Sequence, residues 1–372
     1  MMVNSENKKR IAVLFGGRSG EHEVSLASAR SVLSVLDRNK YEVIPVGISH
    51  AGTWYTGLNV LDQLTSGKTD NLEMVTILPD PSMPGLYHIH EGVLELLTKL
   101  DIVFPVLHGT FGEDGTLQGL LEMADLAYVG SGVLGSAVGM DKGVFKDIMR
   151  ANDIPVVESI LVLRSEIEKD INQVIQQAEA KFTYPIFVKP ANLGSSVGIS
   201  KCTHRSDLGE GLLEAKKFDR RILVERGVNA REIEISVLGN DHPKASVAGE
   251  VLPSRDFYSY ESKYEDGSSR LSIPAPIPTP TSDQMRTLAI KAFKAIDCAG
   301  MARVDFFLDK DNGKFYLNEL NSLPGFTSIS MYPKLWQASD LPYIELLDTL
   351  IELALERKSE RDRTERHFRS TP

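Results

Sequence analysis

The chain has 372 residues, 42% of them hydrophobic and 25% charged, and a formal net charge of −10. This suffices for two or three globular domains, and the negative balance excludes a nucleic-acid protein working through a broadly basic surface. The two cysteines, Cys202 and Cys298, are far apart with no CxxC or Cys/His cluster, so neither a disulfide framework nor a cysteine-type zinc site is expected. No run of about 18 apolar residues is available to span a bilayer, and the polar stretch Met1 to Arg10 lacks the apolar core of a signal peptide. The expected compartment is the cytoplasm, with no membrane or nucleic-acid partner.

Ile11 to Phe15 reads as a buried strand, followed by a glycine turn at Gly16-Gly17-Arg18-Ser19-Gly20 and a helical pattern from Val24 to Leu36. This is the opening unit of a doubly wound α/β domain. A dinucleotide fingerprint would need glycine at position 15, where Phe15 stands. Glu23 suits the first turn of the helix, opposite its dipole; Glu21, inside the turn at the carboxyl end of the strand, is placed where such sheets bind ligands. Tyr41 to Ile48 is a second strand. Residues 49–101 show scattered Gly and Pro and no clear signature. Ile102 to Leu107 is a later strand ending at His108 in a glycine-rich turn, with Asp114 as the expected N-cap of a helix over 115–124. His108 has two readings, a structural hydrogen-bonding residue or a ligand-binding one.

Segments are expected over 1–130, 131–225 and 226–358, with a charged tail, 359–372, that frays. In the middle segment a strand, Pro185 to Pro190, carries Lys189 into the loop Asn192-Leu193-Gly194-Ser195-Ser196-Val197-Gly198. A small, hydroxyl-rich loop between strands can offer backbone N–H groups to phosphate, with the lysine adding charge. It is not a Walker loop, because no Gly-Lys-Ser/Thr follows and no helix starts there. Residues 253–272 break every regular pattern and are rich in tyrosine and phenylalanine, as a lid that packs would be.

Two β-rich runs, Met301 to Leu308 and Lys314 to Leu320, flank Asn312-Gly313 and predict a hairpin. Alternation puts Arg303 and Asp305 on one face, and Glu319 and Asn321 on the same face of the partner strand. Three hard oxygen donors and a guanidinium then share one patch amid apolar residues, a set suited to Mg²⁺ and phosphate. With Lys142 and Lys189 the constellation suits nucleotide phosphate transfer.

Over residues 10 to 350 the sequence resembles the D-alanine:D-alanine ligases of the ATP-grasp superfamily. The resemblance is carried by Gly16-Gly17-Arg18-Ser19-Gly20-Glu21-His22-Glu23-Val24-Ser25-Leu26, His108-Gly109 with Gly112-Glu113-Asp114-Gly115, Lys189-Pro190 with Gly194 to Gly198, Tyr260-Glu261-Ser262-Lys263-Tyr264, and Asn318-Glu319-Leu320-Asn321 with Pro324-Gly325. It implies an α/β fold in which an amino-terminal domain precedes a two-part ATP-grasp fold, α+β in both its central and C-terminal parts. It also implies ATP-driven joining of two D-alanines for peptidoglycan synthesis, with two Mg²⁺ ions (Mn²⁺ being able to replace them) and a homodimeric assembly.

By the same resemblance Glu21 holds the first ammonium with His108 nearby, and Ser195 links Glu21 to Tyr264 of the lid. Lys142, Lys189, Lys263 and Ser196 contact ATP phosphates, and Glu225 and Glu232 the adenosine. Asp305, Glu319 and Asn321 bind metal. Arg303 and the Gly325 N–H face the oxyanion, while Ser330 and the Met331 backbone receive the second carboxylate. Tyr264 favours D-alanine over D-lactate as second substrate. Asn192-Leu193 departs from relatives with a charged residue in the phosphate loop. Two other classes fit less well: a nicotinamide-dependent dehydrogenase is opposed by Phe15 and the metal triad, and a non-catalytic nucleotide-binding regulator by the presence of all three metal-type residues.

Overall fold

The computed structural model describes residues 8–194, 197–252 and 270–365. The expected lid, with Lys263 and Tyr264, and the loop serines Ser195 and Ser196 lie outside the described residues. Three sheets carry the fold.

The first is organised on β1 (Lys9–Gly16), which pairs in parallel with β2 (Tyr41–Ile48) and with β7 (Ile102–Val106). Ile11 to Phe15 are fully buried because both faces of the strand are covered, as a continuous apolar run in a parallel sheet requires. Ile11, Val13 and Phe15 pack with Leu26, Ala29 and Val32 of α1 (His22–Val35). Ala12 and Leu14 face the other way, toward Leu117 and Leu121 of α3 (Thr116–Met123). The stretch without signature holds β3 (Trp54–Thr56), α2 (Val60–Thr65), β4 (Glu73–Ile77), β5 (Leu86–His90) and β6 (Val93–Thr98). Its four short strands add antiparallel neighbours beyond β2, and β8 (Ala127–Tyr128) closes the opposite edge. They left no pattern in the sequence because the edge strand β6 has no buried face to enforce alternation.

The expected helix N-cap moves by one residue: Gly115, at φ +89°, caps α3, and Asp114 instead accepts hydrogen bonds from Thr116 N and Phe111 N. After α4 (Val133–Met140) and α5 (Lys142–Ala151) comes a four-stranded antiparallel sheet of β9 (Ser159–Leu163), β10 (Ile186–Pro190), β11 (Ser200–Cys202) and β12 (Arg221–Arg226). It is backed by α6 (Arg164–Lys181) and α7 (Arg205–Phe218).

The third sheet has the order β15-β14-β13-β16-β17, from β13 (Ala230–Gly239), β14 (Lys244–Leu252), β15 (Arg270–Ser272), β16 (Gly300–Asp309) and β17 (Phe315–Asn321). Alternation divides it cleanly. Ile233, Ile235, Val304, Phe306 and Leu317 pack against α8 (Thr279–Ala295) and α5, leaving the charged residues of the same strands on the other face.

After α9 (Met331–Gln337), the last helix α10 (Tyr343–Asp362) crosses back to the first sheet, where Leu346, Leu347, Leu350 and Ile351 join the core of Ile11 and Phe104. The tail expected to fray from residue 359 is therefore helical through Asp362. Lys358 and Arg361 both pair with Asp125 at 3.2 Å, and Arg361 also pairs with Glu122, so the mixed charges meet partners at the end of α3 and on the turn before β8. Among the described residues no helix is long and apolar enough to cross a membrane.

Candidate active site

The hairpin of β16 and β17 forms as the sequence predicts. Arg303 opposes Asn321 and Asp305 opposes Glu319 across the pair, with an irregularity after Asp305. Strand β13 adds Glu234 opposite Asp305 and Glu232 opposite Phe307. Arg303 grips Asp305 through two bonds of 2.8 and 2.7 Å and reaches Glu234 at 3.0 Å. Burial works against its charge, but Asp305, Glu234 and Glu319 together hold the guanidinium ionised, well above its ordinary pKa.

Three carboxylates around one arginine leave an excess of negative charge, and Asp305, Glu319 and Asn321 are hard oxygen donors. That donor set fits a divalent ion of the Mg²⁺ class. Lys142 approaches Glu319 at 3.9 Å from the start of α5, whose N-terminus is capped by Asp141 through Gly143 N and Val144 N.

Opposite this face lies the glycine turn after β1. A Cβ at Gly16, where φ is +90°, would lie 2.2 Å from Ile48 O, so only glycine lets the turn close against β2. Ser25 accepts from Gly16 N and donates to Val106 O, tying the turn to α1 and β7. Ser19 links the Glu21 backbone N to His108 O, which fixes the two predicted substrate residues relative to each other.

His108 is buried at the cavity wall. Its Nδ1 lies 3.0 Å from Leu323 O and its Nε2 3.1 Å from Ser28 Oγ. The Leu323 carbonyl needs a donor, so the proton sits on Nδ1 and Ser28 donates to Nε2. Burial lowers the His108 pKa, keeping the ring neutral. Ser28 also accepts from Phe326 N at 3.2 Å, so the histidine and the Gly325-Phe326 backbone share one anchor on α1.

Glu113 accepts from Gly109 N at 2.6 Å and from Leu323 N at 3.3 Å. Burial, reinforced by the neighbouring Glu21, pushes its pKa up to about 8. Burial and the nearby Glu21 carboxylate thus favour the protonated form of Glu113.

The middle sheet supplies Lys189 and the loop that follows it. Asn192 N and its amide bond Asp219, and the amide also reaches Asp141 at 3.1 Å; Lys142 Nζ donates to Leu193 O at 2.7 Å. The departure at Asn192-Leu193 thus has a structural use: an amide there bridges two carboxylates. A Cβ on Gly194 would lie 2.6 Å from Glu21 Oε2, so the loop touches the first-sheet carboxylate directly.

Glu225, expected at the adenosine, is buried between Lys189 at 2.5 Å and Lys146. Burial raises its pKa, and the two ammonium groups outweigh that and hold it down to about 2. Lys189 lies 5.8 Å from the centre of the Phe307 ring, against the charged face of the third sheet.

Glu21, His108, Lys142, Gly194, Arg303, Glu319, Asn321, Gly325, Ser330 and Met331 line one cavity of about 390 Å³ between the three sheets. Asp305 stands behind Arg303, while Lys189, Glu225 and Glu232 are not among the lining residues. Ser330 Oγ accepts from Thr327 N at 2.9 Å and sits where a Cβ on Gly325 would be 2.9 Å away, so that turn is closely packed.

Five residues were not singled out in the sequence. Ser28 left no signal. Glu113 lies inside a quoted motif, Glu234 alternates with Glu232, and Lys146 follows Lys142 by one helical turn, so spacing could have found these three. Lys334, which also lines the cavity, follows Ser330 by four residues on α9.

A cavity with the phosphate-type Lys142 on one wall, an acid cluster on another and a carboxylate-bearing turn on the third is the architecture of an ATP-grasp ligase. The family model for the C-terminal part of D-ala D-ala ligases matches residues 148–352, and the model for the N-terminal part matches residues 10–131. A D-alanine–D-alanine ligase of Heliobacterium modesticaldum is 51% identical over 356 residues, covering 96% of this chain and 97% of that protein. Among solved structures, the D-alanine-D-alanine ligase of Coxiella burnetii superposes with a TM-score of 0.81 at 37% identity, covering 96% of both chains. The VanG D-Ala:D-Ser ligase of Enterococcus faecalis gives 0.83 at 36%, covering 93% of this chain and 99% of that one. The chain belongs to the D-alanine–D-alanine ligase family.

Proposed function

We propose that the protein joins two D-alanines into D-alanyl-D-alanine at the expense of ATP, forming ADP and phosphate, for peptidoglycan precursor synthesis. The observation that carries this reading is the single cavity in which Glu21, Lys142, Arg303, Glu319 and Asn321 face one another.

A carboxylate is a poor acyl electrophile, so one oxygen of the first D-alanine attacks the γ-phosphorus, the bond to ADP breaks, and an acyl phosphate results. The free amine of the second D-alanine then attacks the carbonyl carbon, the carbonyl oxygen takes up negative charge, the nitrogen gives up one proton, and inorganic phosphate leaves with the former carboxylate oxygen as the carbonyl re-forms. Glu21 holds the first ammonium, with neutral His108 and Glu113 beside it. Lys142 and Lys189, with Ser196 and Lys263, hold the phosphates; Glu232 takes the ribose side. Glu225 acts through Lys189, fixing its ammonium, as the buried pair supports.

Asp305, Glu319 and Asn321 would hold the divalent ions, two of Mg²⁺ or of Mn²⁺ in its place, which supply Lewis-acid polarisation of phosphate oxygens. Arg303 and the Gly325 N–H face the developing oxyanion, where one such donor contributes roughly 10²-fold or more in rate. Ser330 and the Met331 backbone receive the second carboxylate, and Ser195 with Tyr264 completes the link from Glu21 to the lid. The assembly is a homodimer in the cytoplasm.

Incubation with ATP, Mg²⁺ and D-alanine, with L-alanine as control, tests the reading through phosphate and dipeptide release. D-alanine alone should give both products; release that is equal with L-alanine would sink it. Because VanG is a D-Ala:D-Ser ligase, D-serine and D-lactate belong in competition with D-alanine, and the expected main product remains D-alanyl-D-alanine.

A further inference from the structure

Next to the glycine turn His22 and His50 stack face to face, with ring centroids 3.8 Å apart and 23° between planes. His50 Nε2 lies 3.7 Å from a carboxylate oxygen of Glu23. One donor atom from each of His22, Glu23 and His50 falls within 4.8 Å of the other two. We propose that these three residues form a second metal site, selective for a borderline transition ion of the Zn²⁺ class over Mg²⁺.

The strongest support is how His22 is held. Its ring is buried, and Nδ1 sits 2.8 Å from Gly17 O. A carbonyl accepts only, so the proton is on Nδ1 and Nε2 keeps its lone pair. A ligating histidine in proteins is commonly oriented this way, by donating its other N–H to a backbone carbonyl. A Cβ on Gly16 would also approach His22 Cε1 to 3.1 Å, so the turn itself fixes the ring.

His50 comes from the turn after β2, closed by Ser49 N to Thr53 O and Gly52 N to Ser49 O, each at 2.9 Å. The side chains of His50 and Glu23 are 69% and 68% exposed, so an ion has access and water can complete the shell. Tetrahedral zinc with bonds of about 2.0 to 2.1 Å needs donors roughly 3.3 Å apart and in the plane of each ring, so binding requires the exposed His50 ring to leave the stack and turn its edge to the ion, with Glu23 moving inward, while His22 stays fixed. Two imidazoles and a carboxylate suit Zn²⁺, Co²⁺ or Ni²⁺; Mg²⁺ prefers an all-oxygen shell. The positive end of the α1 dipole opposes a cation here, but it amounts to roughly half a charge against the full charge of Glu23.

An ion so held would clip the turn bearing His50 to the first turn of α1, immediately after Glu21. Equilibrium dialysis of the full chain against Zn²⁺, with excess Mg²⁺ occupying the carboxylate and amide donors, tests the proposal. One Zn²⁺ per chain is expected, weakened at least ~10-fold in His50→Ala and in Glu23→Ala, both exposed positions at which the fold is kept. Co²⁺ in place of Zn²⁺ should give the intense visible absorption of a four-coordinate ion, and His50→Ala should remove it. Unchanged affinity and stoichiometry in His50→Ala, or no retained Zn²⁺ in the unaltered protein, would overturn the site.

Discussion

Lys146 and Glu225 form an ion pair in which each side chain is 2% exposed, and Lys189 completes it from the neighbouring strand at 2.5 Å from the same carboxylate. Desolvation makes such a cluster costly unless every charge is matched. Glu225→Gln leaves two ammonium groups without their counter-charge and should cost about 3 to 5 kcal/mol. Lys146→Met, which keeps the Lys189 pair, should cost less. Urea unfolding of the two variants checks the order; equal losses would contradict it.

The same pair sets an acid limb. Burial raises the Glu225 pKa, the lysines overcome it, and the folded value of about 2 lies below the ordinary 4.5. The stability it contributes is present above 4.5 and lost as pH falls toward 2. Wild-type thermal midpoints should fall over that interval by more than those of Glu225→Gln.

Glu113 has the opposite sign. Its folded pKa of about 8 exceeds the ordinary 4.5, so the protein holds a proton that the unfolded chain releases. The associated stability is full below 4.5, declines as pH rises and is lost above 8. Glu113→Gln, neutral at every pH, should gain in melting temperature relative to wild type between pH 6 and pH 9. A constant difference across that range would show that the carboxyl is ionised throughout.

Arg303 faces three acids, so its removal exposes their repulsion and, on the proposed mechanism, deletes a donor to the oxyanion. Arg303→Lys cannot reproduce the two-bond grip on Asp305 and should lower kcat about 10²-fold or more. Glu319→Gln should abolish ADP release while circular dichroism and melting behaviour stay near wild type. Activity retained in Glu319→Gln would take the hairpin out of the chemistry.

Lys334 lines the cavity beside Ser330 and Met331. If the second carboxylate sits at Ser330 and Met331 as proposed, Lys334→Met should raise KM for the second D-alanine several-fold with little change in kcat, because that carboxylate does not react. An equal loss in the ATP-dependent phosphorylation of the first D-alanine would instead place it at the phosphates.

Local spacing alone determined the hairpin, its shared face and the glycine turn, because strand alternation and positive φ are written in adjacent residues. Residues such as Arg303, Asp305, Glu319 and Asn321 needed only a period of two and an Asn-Gly turn to be gathered. The resemblance supplied their partners on other elements. The tertiary structure decided the rest. Chain reversal brought Lys146 to Glu225, 79 positions on, and Ser28 to His108, 80 positions on. It also buried Glu113, which raises its pKa, and it seated α10 on the first sheet. None of these is local: each depends on which groups are excluded from water together, and burial is a property of packing between elements that no spacing along the chain encodes.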